Sequence, residues 1–98
     1  MAVNQSFLAK VKLSLGVSYP DFDVEISDLI EEAILDLTQT ADIKPFTTDE
    51  ADPLQTGAVK AYVAYRFKDD EKFFVTYNDM KTKLALSKQY RSVMVDEE

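Results

Sequence analysis

The sequence predicts an all-α protein: a small bundle of about four helices, with a long loop between helices two and three and a flexible C-terminal tail. Three observations carry this reading. Apolar residues recur at helical spacing in four separate segments. Gly 2 and Pro 3 in 98 residues leave few turn formers for a β architecture. Asp52-Pro53-Leu54-Gln55 combines an acidic cap, a proline at the first helical position and a glutamine at the third. A chain of this length has room for one core, assigned to residues 1–90, with 91–98 as the tail.

The first helix is expected over about Gln5–Leu15, where Phe7, Leu8, Val11 and Leu15 share a face. Asn4 or Ser6 is placed to cap its start, and Gly16 to end it. Pro20 then holds Tyr19 in extended geometry. The second helix, about Asp23–Thr40, buries Ile26, Leu29, Ile30, Ala33, Ile34 and Leu37 as one stripe. Asp23, Glu25, Asp28, Glu31, Glu32 and Asp36 fill much of the remainder, and the early acids complement the helix dipole. Residues Ala41–Asp52 form a loop of a length that is usually functional or mobile.

The third helix, about Pro53–Lys68, has two apolar stripes: Leu54, Ala58, Ala61, Tyr62 and Tyr65 on one side, Val59, Val63 and Phe67 on another. Such a helix belongs in the middle of the domain or on an oligomer interface. Gly57 inside it costs about 1 kcal/mol relative to alanine and points to close packing. The fourth helix starts near Asp69 or Asp70 and reaches about Ser87, with Phe73, Tyr77, Met80 and Leu84 on one face. Lys88–Glu98 is expected to be disordered in the monomer.

Composition removes several classes of function. Without cysteine or histidine there is no disulfide, no thiolate or imidazole zinc site, no thiol nucleophile and no near-neutral proton shuttle. Gly16 and Gly57 stand alone, so no phosphate-binding loop exists. Asp21, Asp23, Glu25 and Glu32 mimic calcium-loop spacing, but Ile26 occupies the position that requires glycine. Apolar runs fall far short of the ~20 residues that cross a bilayer, and no signal-peptide pattern opens the chain, so no membrane association is expected. Lys+Arg 11 against Asp+Glu 18 gives −7, which opposes phosphate binding. A helix-turn-helix over Phe7–Leu37 would present an acidic helix to DNA, where base readers use Arg, Lys, Asn and Gln. The chain reads as a non-enzyme without cofactor or metal.

Phe46 in the long loop, and Tyr90 with Val93, Met94 and Val95 in the tail, sit in segments too short to bury them within the domain and are assigned to partner contact, with local folding-back as the alternative. Arg66, on an otherwise apolar helix, is read equally as one half of an inter-subunit ion pair or as a snorkelling surface side chain.

Three segments carry a likeness to a known family. They are Phe22-Asp23-Val24-Glu25-Ile26; Asp52-Pro53-Leu54 with Ala58-Val59-Lys60-Ala61-Tyr62-Val63; and Tyr77-Asn78-Asp79-Met80-Lys81 leading to Leu84-Ala85-Leu86-Ser87. In this order they resemble the head–tail connector (head-completion adaptor) proteins of tailed bacteriophages, over about Ser6–Tyr90. Gln55-Thr56-Gly57 departs from the family, whose members carry larger apolar or basic residues there.

The resemblance implies a structural virion protein, made in the host cytoplasm and ending at the head–tail junction. It implies a ring homo-oligomer, dodecameric in the virion, that docks on the portal protein and receives the tail or a second adaptor. DNA passes through such a ring without sequence-specific binding. On this reading Lys88–Val95 orders on docking to the portal, and the Ala41–Asp52 loop faces a neighbour or the channel. The alternative is a small acidic helical binding module, antitoxin-like or regulatory, that sequesters a basic partner.

Overall fold

The computed structural model describes residues 3–90, the side chain of Lys88 excepted. Four helices make up the fold: α1 (Gln5–Leu15), α2 (Asp23–Thr40), α3 (Pro53–Lys68) and α4 (Glu71–Leu86), with short 3-10 turns at Pro20–Phe22 and Lys88–Tyr90. The all-α class and the four segments are as the periodicity predicts, and their ends follow from local chemistry. Asn4 caps α1, its side-chain oxygen accepting from the N–H groups of Ser6 at 2.7 Å and Phe7 at 3.2 Å. Gly16 closes α1 at φ 77°, a conformation that costs a residue without Cβ little. Asp52 and Gln55 form a reciprocal capping box: the Gln55 N–H donates to the Asp52 carboxylate at 2.9 Å, and the Asp52 N–H to the Gln55 amide oxygen at 3.0 Å. Asp69 ends α3 at φ 54°, and Asp70 caps α4.

The long helices pack in sequence order, with α3 in the middle, against α1, α2 and α4. This explains its two apolar stripes: Ala58, Val59, Ala61, Tyr62, Val63 and Ala64 are all buried. Facing them are Ile26, Ile30, Ala33 and Leu37 of α2, Val11 of α1, and Tyr77 and Leu84 of α4. Each large aliphatic among these contributes about 1.5–3 kcal/mol by leaving water. Lys12 Nζ lies 2.7 Å from the buried Oδ1 of Asp23, joining the end of α1 to the start of α2.

Gly57 lets α4 approach α3. A Cβ there would meet the Met80 Cε at 3.1 Å and Sδ at 3.2 Å. Both atoms belong to the free end of an adaptable side chain, which can shift by a few tenths of an ångström. Gly57→Ala is therefore expected to raise stability by about 0.5 kcal/mol, part of the helix-propensity gain. Gly57→Leu, which needs the volume Met80 occupies, should lower it by about 1–3 kcal/mol. Urea denaturation of the two variants reads the difference.

The loop between α2 and α3 is where structure and sequence reading part. Ile43, Phe46 and Thr48 are buried. The Asn4 N–H donates to Thr48 Oγ1 at 2.8 Å and its side-chain amide donates to Asp49, fastening the loop to the start of α1. On the other side, the Lys44 N–H donates to the Tyr90 carbonyl at 2.6 Å. Phe46 is thus a core residue of its own chain, the local folding-back that was the alternative to partner contact. The same holds for Tyr90, which is buried and donates its hydroxyl to the Asp52 carboxylate. Lys88–Tyr90 accordingly belongs to the fold, against the expectation of a tail free from Lys88 onward. Each ring gains by leaving water, and the Tyr90 hydroxyl finds an acceptor that already caps α3.

Candidate interaction surface

A polar brace crosses the seam between α2, α3 and α4. Glu32 of α2 accepts the Tyr62 hydroxyl at 2.7 Å and also the Arg66 guanidinium; Arg66 Nη1 donates to the Tyr62 oxygen at 2.8 Å. One turn along α2, Asp36 accepts the Tyr77 hydroxyl, with Lys81 Nζ 3.6 Å away. Lys81 also donates to Thr40 Oγ1 at 3.1 Å and lies over the Tyr77 ring, 5.2 Å from its centroid. The Tyr62 and Tyr77 rings meet edge to face at 5.1 Å, joining the two halves.

The electrostatics follow from this geometry. The Tyr62 hydrogen bond holds the Glu32 carboxyl below its usual range, opposed by burial and assisted by Arg66. Burial, then the bond to Glu32, pushes Tyr62 up to about 12. Burial, then the Asp36 bond, raises Tyr77 further still. The bonds to Glu32 and Tyr62 raise Arg66. At neutral pH Glu32 is therefore ionised while Arg66 and both tyrosines keep their protons, the states in which these hydrogen bonds hold the three helices together.

Arg66 is therefore paired within its own chain, with Glu32 and Tyr62, partners that neither reading of the sequence named. Its partner had been visible as an acid of α2, but the pairing spans 34 residues and no local spacing encodes it. Phe46 and Tyr90 instead line one cleft of about 340 Å³, together with Lys44, Pro45, Glu50 and Gln55. Val93, Met94 and Val95 lie outside the described residues. The calcium-like spacing does not form a loop, because Asp23, Glu25 and Glu32 all lie on the continuous helix α2. Among the described residues, no three or more acids gather where they would hold a metal ion, and no helix is long and apolar enough to cross a membrane.

What the sequence reading missed is a set of large aliphatic side chains pointing outward from well-formed helices. Leu13 is 82% exposed, Val24 77% and Leu35 55%; Val75 and Leu86 on α4 are exposed as well. The signal was available: none of these falls on the buried stripe of its own helix. Exposed single apolar residues are ordinary. Val24 and Leu35, however, are eleven residues apart and so lie on one line along α2, three turns separated.

No family model, curated protein or solved structure matches the chain.

Proposed function

We propose that this chain is a structural virion protein, a head–tail connector whose copies form a ring below the portal, extend the DNA channel and join capsid to tail. The observation that carries the reading is a closed core combined with leftover apolar ridges. Leu13, Val24, Leu35, Val75 and Leu86 stand exposed on helices, outside the buried cluster. A ring needs one patch and its complement on each copy, and small helical units can supply both. The net charge of −7 suits a conduit that DNA slides past without sticking. The resemblance of the three segments named above supplies the family.

The second reading, an acidic module for a basic partner, is favoured by α2, which carries six acids and no base. Docking separates the two. The full chain is expected to co-sediment with purified portal, while a chain ending after Tyr90 stays folded by circular dichroism and loses docking. Undiminished docking by the shortened chain would reject a portal contact through Val93, Met94 and Val95. Absence of docking by the full chain would reject the connector reading.

A further inference from the structure

We infer that the outward face of α1 on one copy receives the Val24–Leu35 ridge of α2 on the next, making a head-to-tail contact between copies of this chain. The inference rests on the assembly reading and specifies its surface. The receiving face is built from Ala9, Leu13 and Val17, which with Lys12 and Ser18 line a shallow groove of about 270 Å³. The inserting face is the line Val24, Asp28 and Leu35, opposite the buried stripe of α2.

Two features make the two faces fit each other. Their charges are opposite. Lys12 is already paired with Asp23, Glu32 with Arg66 and Asp36 with Lys81, which leaves Lys10, three residues before Leu13, on α1, and Asp28 with the neighbouring Glu25 on the inserting line. Among the described residues, neither Glu25 nor Asp28 has a basic partner, and Lys10 has no acidic one, so charges of both signs are left for a neighbour. Finally, each face presents a projecting aliphatic residue, Leu13 on one and Leu35 on the other. Because the two faces differ, the contact is heterologous and propagates into a ring or a chain of copies.

The natural absence of cysteine permits a direct test. Leu13→Cys and Leu35→Cys, both at exposed positions, are made singly in the full chain. The two proteins are mixed at millimolar concentration, oxidised and mapped by mass spectrometry. Expected is a disulfide between positions 13 and 35 as the main product, with a several-fold lower yield when Lys10→Glu is added to the first protein or salt is raised. Only 13–13 and 35–35 links, no links, or a yield indifferent to Lys10→Glu would overturn the contact. Native mass spectrometry of the unmodified chain runs alongside. Oligomers without the 13–35 link remove this contact and leave the connector reading standing; the link without portal docking does the reverse.

Discussion

Tyr77→Ala is expected to lower the stability of the domain by about 3–5 kcal/mol. Tyr77 is the largest fully buried side chain in the structure. Its ring packs on Tyr62 and beneath Lys81, and its hydroxyl is tied to Asp36. Alanine removes the whole ring from the α2–α3–α4 seam and leaves a cavity that three packed helices cannot fully close. A domain of this size holds roughly 5–10 kcal/mol, so the loss takes a large share of it. Tyr77→Phe keeps the ring and loses only the hydrogen bond, at about 1–1.5 kcal/mol, since Lys81 still faces Asp36. Urea titrations followed by circular dichroism measure both. Equal losses would place the energy in the hydroxyl and contradict the packing account.

The same seam predicts alkaline unfolding. Tyr62 is pushed up to about 12 and Tyr77 is raised further in the same direction, both chiefly by burial. In the unfolded chain tyrosine ionises near 10. A folded value above the unfolded one means that stability is intact below about pH 10 and falls as pH rises from there through the folded values. The contribution of Tyr62 is on the order of 2 kcal/mol, with Tyr77 adding to it. Stability from urea titrations at pH 8, 10 and 12 should be flat to about pH 10 and then drop steeply. The double variant Tyr62→Phe, Tyr77→Phe should begin lower and lose less over that range. An equally steep fall in the double variant would locate the titrating groups elsewhere. At the acidic end the sign reverses: the lowered Glu32 contributes above the usual carboxylate range and is lost as pH falls. Its exposure keeps that effect small.

Helices were legible because their signals are local. The stripe of α2, the Asn4 cap, the left-handed Gly16 and the Asp52–Gln55 box each act within a few residues, and each forms as read. The surroundings of Phe46, Tyr90 and Arg66 were not legible, because they are decided over long separations. Phe46 looked stranded in a polar loop, yet the loop folds onto the bundle through Asn4, 44 residues from Thr48. Tyr90 looked like the start of a tail, yet it reaches Asp52 and the backbone of Lys44. Arg66 read as an odd cation on an apolar helix, and the third dimension brings Glu32 beside it. In each case a polar or aromatic group found its partner inside the chain. The surplus then fell on Leu13, Val24 and Leu35, whose aliphatic side chains have no such option.

The central claim is that this surplus serves assembly at the portal vertex. Electron microscopy of portal-bearing, DNA-filled heads incubated with the purified full chain addresses it most directly. Added density is predicted as a closed ring coaxial with the portal, fitted by repeated copies of the four-helix unit. Heads whose vertex is unchanged at saturating protein would contradict it.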